Sequence, residues 1–203
     1  MTLPETISFI GAYLAGAAGS ALVLVDDRWA LGPLGVGYAV LAWFCVVEVS
    51  AISAVVMAST GILVCGLLAI TFRRGPRRAG ETVDESLLGR QDFRVVAVLL
   101  VLITAWGLAP GVWLALPEVA PDAGLAATFL LLLGLLQVSL NRRPLQVTLG
   151  LIAVMSGFQI AYFAVESSLA VLTLLVAVHL GLALVGSYLD LLVQSNPDAG
   201  SRL

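Results

Sequence analysis

Long apolar runs, broken by short clusters of charged residues, Pro and Gly, dominate this chain. Seven stretches are built mostly of Leu, Ala, Val and Ile: 7–25, 30–49, 52–72, 95–115, 123–140, 145–164 and 169–193. A helix rising about 1.5 Å per residue needs about 20 such residues to cross a hydrocarbon layer roughly 30 Å thick. None of the stretches alternates apolar and polar at period two, as a barrel strand does. Their backbone groups must therefore be satisfied inside helices. The pattern predicts an all-α fold: a polytopic membrane helix bundle of seven transmembrane helices, forming a single transmembrane domain over residues 1–203.

The least obvious division lies in 30–72, which is too long for one crossing and has no clear loop. Glu48, Ser50 and Ser53 cluster near its middle, where a tight turn is expected. Charge placement supports that turn. With seven spans, one side receives Arg28, Arg73, Arg74, Arg77, Arg78, Arg90, Arg94, Arg142, Arg143 and Arg202, while the other receives Glu5, Glu48, Glu118, Asp122 and Glu166 and no Arg. The positive-inside rule then makes the Arg-bearing side cytoplasmic, with the N-terminus outside and the C-terminus in the cytoplasm. The first stretch reads as a true span rather than a secretory leader, because MTLPET has no basic residue. The cytoplasmic stretch 73–94 divides the chain into three spans and four, and is either a solvated hinge or a docking site for a partner or anionic lipid. The tail, 195–203, is short and polar. Pro33 opens the second span, and Pro110 is expected to kink the fourth.

Composition agrees with the pattern. Hydrophobic residues make up 60% of the 203 and charged residues 11%, against about 25% charged in a soluble domain. The mean hydropathy of +1.05 excludes disorder. All ten basic residues are Arg; the absence of Lys removes Schiff-base chemistry. A net charge of −3 gives no general affinity for nucleic acid. Trp29 and Phe93 on the inner side, and Trp113 and Tyr162 on the outer, read as interfacial anchors.

Catalytic signatures are sparse. There is no H-E-x-x-H, P-loop or G-x-G-x-x-G, and no span carries paired carboxylates. One His cannot form a bis-His haem site. Cys45 and Cys65 read as small buried hydrophobes, and two Cys cannot hold an iron–sulfur cluster alone. No cofactor or metal is expected on this chain. The polar residues within spans carry more information, because each must face protein or water. Ser156 and His179 flank an outer turn at 166–168 at distances that put both roughly 15–17 Å deep. Gln159 lies one turn from Ser156 on the same face, and Gly150 and Gly157 also share a face that admits a close neighbour. His179, Ser156 and Gln159 are thus candidates for a proton pathway, or for a hydrogen-bonded stitch between helices. Glu48, the fourth candidate, falls about 28 Å along its span, at the outer interface.

The C-terminal third, NRRPLQVTLGLIAVMSGFQIAYFAVESSLAVLTLLVAVHLGLALVGSYLDLL (141–192), resembles the end of the E-type membrane subunit of hydrogenase-4 and formate hydrogenlyase complexes. That family is related to the K subunit of complex I and to the C subunit of multisubunit Na⁺/H⁺ antiporters. The resemblance rests on the cytoplasmic turn at Asn141, Arg142 and Arg143, the small-residue segment Val154–Gly157, a short outer turn and a last helix polar at its midpoint. The charged loop after STGILVCGLLAITFRR (59–74) also fits. Such subunits commonly carry an acidic residue in the segment that holds Ser156, another near His179, and a lysine near Gly61; all three charges are missing here.

The resemblance implies a non-catalytic membrane subunit of a hydrogenase- or complex-I-like ion-translocating redox complex in the cytoplasmic membrane of a prokaryote. Its partners would be antiporter-like and hydrogenase- or quinone-arm subunits, the bilayer, and no nucleic acid. A self-contained transporter or channel is the alternative; it would be expected to show an internal repeat and helices broken at mid-membrane. The topology is directly testable: single cysteines introduced across 73–94 should react with an impermeant thiol reagent only from the cytoplasmic side. Labelling from the exterior would overturn the seven-span arrangement.

Overall fold

All seven apolar runs are helical in the computed structural model, which describes residues 3–25, 29–48, 50–74, 91–115, 117–141, 143–165 and 168–195. The helices among these are α1 (Leu3–Leu24), α2 (Leu31–Glu48), α3 (Ala51–Arg74), α4 (Gln91–Ala115), α5 (Pro121–Leu140), α6 (Pro144–Val165) and α7 (Leu169–Ser195). Five have windows long and apolar enough to cross a membrane, in α3, α4, α5, α6 and α7. The apolar stretches of α1 and α2 are shorter, Phe9–Leu24 and Leu31–Val47. The chain is a multi-pass helical membrane protein by this measure. Arg28, Arg142, Glu166, Ser167, the stretch 75–90 of the loop at 73–94 and the tail from 196 lie outside the described residues.

Helix ends follow local chemistry. The expected turn between α2 and α3 is present and tight: α2 ends at Glu48 and α3 begins at Ala51. Ser50 caps α3, its Oγ accepting from the Ser53 N–H at 3.2 Å, while its own N–H donates to Cys45 O at 2.9 Å. α5 and α6 each open on a proline, where the missing N–H costs nothing. Asp122 sits in the first turn of α5, favourably placed against the helix dipole. α4 continues through Pro110 to Ala115.

The helices form two rows. One is α1–α2–α3 and the other α4–α5–α6–α7, each helix beside its sequence neighbour. Across the rows α1 lies against α5 and α4, α2 against α6, and α3 against α7. The three-plus-four division expected from the loop at 73–94 therefore corresponds to two layers. α5 and α6 are the most buried spans and α4 the least. At the Arg-rich end, Arg94 Nη2 donates to Asn141 Oδ1 at 3.0 Å, and Asn141 Nδ2 donates to Gln137 O at 2.8 Å. This joins the start of α4 to the end of α5.

The closest seam runs between α5 and α6. A Cβ on Gly134 would stand 2.8 Å from Gly150 O, and one on Gly157 would stand 2.7 Å from Ala127 O. The shared face of Gly150 and Gly157 thus lies directly on α5 backbone, as small residues allow. Gly157→Ala should therefore lower stability by about 1–3 kcal/mol through overpacking, despite a helix-propensity gain of about 1 kcal/mol. Gly107→Ala, where a Cβ would meet nothing within 4 Å, should be neutral or stabilising. Thermal unfolding of both variants in one detergent checks the contrast.

Candidate functional site

Ser156 on α6 and His179 on α7 face each other, as their depths in the sequence anticipate. Each lies about 15 Å along its helix from the turn that joins them. Ser156 Oγ and His179 Nε2 are 3.5 Å apart, and His179 has no solvent exposure. The second ring nitrogen, Nδ1, is 2.9 Å from Leu175 O. A carbonyl only accepts, so Nδ1 carries the proton of the neutral ring and Nε2 presents a lone pair. Ser156 Oγ is also 2.9 Å from Ile152 O. Its single proton is therefore sought by two acceptors, the helix carbonyl and the imidazole.

A third helix reaches this point. Tyr38 of α2 sets its ring against His179, centroids 5.8 Å apart and planes at 63°. About 15 Å separate it from the α2 end at Glu48, the same depth as the pair. Tyr38 is 4% exposed, and its hydroxyl has no hydrogen-bond partner among the described residues. α3 makes room for the ring: a Cβ at Gly61 would stand 2.7 Å from Tyr38 Cβ and Cγ. A cavity of about 20 Å³ opens beside the cluster between α1, α2, α5 and α6, lined in part by Gly19, Gly37, Tyr38, Ala153 and Ser156.

The other two candidates lie apart. Gln159 is fully buried, but its Nε2 donates to Met57 Sδ of α3 at 3.1 Å, and its Oε1 has no partner among the described residues. It ties α6 to α3 rather than extending the Ser156–His179 contact. Glu48 ends α2, at the opposite end of that helix from its start at Leu31, and its side chain lies outside the described residues. Cys45 is buried and Cys65 half-buried, both free thiols. Among the described residues no three His, Cys, Asp or Glu side chains come together. What the arrangement offers chemically is a buried hydroxyl and a buried imidazole able to exchange a hydrogen bond.

Sequence reasoning missed Tyr38 and Met57. Depth arithmetic places Tyr38 level with Ser156 and His179, but nothing in the sequence says that α2 lies beside α6. No family model, curated protein or solved structure matches the chain.

Replacing Gln159 with Leu keeps the volume and removes an amide that is only half satisfied. Its unfolding midpoint should be unchanged or higher, since an unmade buried acceptor costs about 1–3 kcal/mol. A large drop in chemical or thermal unfolding would show that the amide oxygen has a partner.

Proposed function

We propose that this chain crosses the cytoplasmic membrane of a prokaryote seven times, N-terminus outside. In this reading it serves as a non-catalytic subunit of an ion-translocating redox assembly of the hydrogenase or complex-I type. The resemblance of 141–192 supplies the class of assembly. The observation that carries a part in translocation is the buried Ser156–His179 contact, held level with Tyr38 where α2, α6 and α7 meet. Titratable imidazoles at such depth are uncommon because they are costly, and they mark proton routes or helix-to-helix bonds. Redox cofactors would belong to partner subunits, and this chain would contribute its helices and one polar relay to the membrane arm.

The arrangement of the rows favours a subunit over a self-contained transporter. Gly16 meets Phe129 and Gly19 meets Leu133, so α1 runs parallel to α5; the short turns within each row then make α2 parallel to α6 and α3 to α7. An axis along the membrane normal that related the rows would set α1 opposite α7, and an axis in the membrane plane would make facing helices antiparallel. Neither matches α1 facing α5 and α3 facing α7. Moreover α2, α6 and α7 run unbroken past the level of His179.

Co-purification under mild detergent, followed by mass spectrometry, should recover antiporter-like and hydrogenase- or quinone-arm subunits. In that assembly His179→Ala should slow proton-coupled turnover several-fold while leaving assembly intact. Unchanged pumping would reduce His179 to a packing residue, and purification as a lone, substrate-binding oligomer would favour the transporter.

A further inference from the structure

His179 is aimed by more than its two ring nitrogens. The bond from Nδ1 to Leu175 O, at 2.9 Å, runs to its own helix, so it ties the ring to α7 and not to α6. The link from Nε2 to Ser156 Oγ on α6 is 3.5 Å, long for a hydrogen bond. The torsion that turns an imidazole about its Cβ–Cγ bond is broad, so rotamer preference does not aim Nε2 either. Packing by Tyr38 supplies the missing constraint. Its ring meets the imidazole at 63° with centroids 5.8 Å apart, within the edge-to-face geometry that aromatic pairs favour. The ring has no room to draw back toward α3, because a Cβ at Gly61 would stand 2.7 Å from Tyr38 Cβ and Cγ and 3.1 Å from Cδ1. Both Tyr38 and His179 are buried, and the Tyr38 hydroxyl bonds to nothing among the described residues. The part of Tyr38 that acts on the site is therefore its ring.

We propose that Tyr38 is a positioning residue for the Ser156–His179 contact. Its ring, backed by Gly61 of α3, stops the imidazole from swinging about its bond to Leu175 and keeps the Nε2 lone pair on Ser156 Oγ. The hydroxyl is dispensable and the ring is not. Two helices of the first row, α2 and α3, thereby set a bond between two helices of the second, α6 and α7. The consequence for a relay is direct. Nδ1 faces a carbonyl, which only accepts, whereas Nε2 faces a hydroxyl able to give and take a proton. An imidazole turned away from Ser156 loses that exit. This inference deepens the site of the proposed function and rests on that reading only for the use of the contact as a relay; the direction in which the ring points does not depend on the assembly or on translocation.

The chain has one histidine, so histidine labelled with ¹⁵N and ¹³C reports on His179 alone when the purification tag is free of histidine. Solid-state NMR in lipid nanodiscs reads two quantities. The change in the Nε2 shift when Ser156 is replaced by Ala measures the bond between the helices, and the ¹⁵N–¹³C dipolar couplings of the ring measure how far it swings. Both are taken in wild type, Tyr38→Phe, Tyr38→Leu and Gly61→Ala. Such a cycle separates a change in this bond from a general loss of stability. Wild type and Tyr38→Phe should give the same response to Ser156→Ala and the same rigid ring. Tyr38→Leu removes the aromatic ring, and Gly61→Ala displaces it while keeping every side chain of the cluster. Both should lose at least half of the response and show a more mobile imidazole. A full response in folded Tyr38→Leu overturns the proposal, as does the absence of any response in wild type. A loss in Tyr38→Phe equal to that in Tyr38→Leu also overturns it, because the hydroxyl would then do the positioning. If Tyr38→Leu does not fold, Gly61→Ala decides, and an unchanged response there overturns the proposal. Unchanged pumping in His179→Ala would instead sink the relay and leave the positioning standing, which separates the two failures.

Discussion

The backbone contact between α5 and α6 is the constraint on which the arrangement depends. Among lipid chains there is no hydrophobic drive to bring one apolar helix to another, so association rests on close packing and on hydrogen bonds. Gly134, Gly150 and Gly157 let the two backbones touch, with Gly150 O and Ala127 O standing where a side chain would have to go. Ser156 precedes Gly157, and a helix turns about 100° per residue. The glycine that meets α5 therefore aims its neighbour away from α5, toward α7 and the cavity. The seam that holds the bundle together also orients its most unusual hydroxyl.

Most hydroxyls in the spans do nothing comparable. Ser20, Thr60, Thr71, Thr104, Thr128, Ser139 and Thr148 each donate to the carbonyl one turn back on their own helix. This is the usual way for a short polar side chain to satisfy itself without water. Ser156 does the same toward Ile152, yet it also faces an imidazole. A local bond together with a cross-helix acceptor sets it apart from its chemical equals.

The helix positions were legible because length and apolarity alone decide what can span a bilayer. Even the break after Glu48 was readable, since Glu48, Ser50 and Ser53 cluster in the middle of an overlong apolar run. The starts of α1 and α4 extend further than the apolar runs, to Leu3 and Gln91, because Pro4 and Asp92 suit a first helical turn. Depth was legible too: counting residues from one turn brings Ser156 to His179. Lateral neighbours were not. Leu41 is fully buried and Ile62 is 73% exposed, yet the two are of nearly equal hydropathy, so an apolar helix does not advertise which side meets protein. Tyr38 becomes part of the picture only once α2 is known to reach His179 of α7, and Met57 only once α3 is known to reach Gln159 of α6.

The two-row architecture has a consequence for biogenesis. Ribosomes release α1, α2 and α3 well before α5, α6 and α7, and in the finished bundle the first row is covered by the second. A half-synthesised chain therefore presents the Tyr38 hydroxyl and the flank of α2 to acyl chains until α6 emerges, an exposure that an insertase groove would shield. The Arg94–Asn141 clasp closes only when the end of α5 has been translated, so the start of α4 lacks that bond until its hairpin partner arrives.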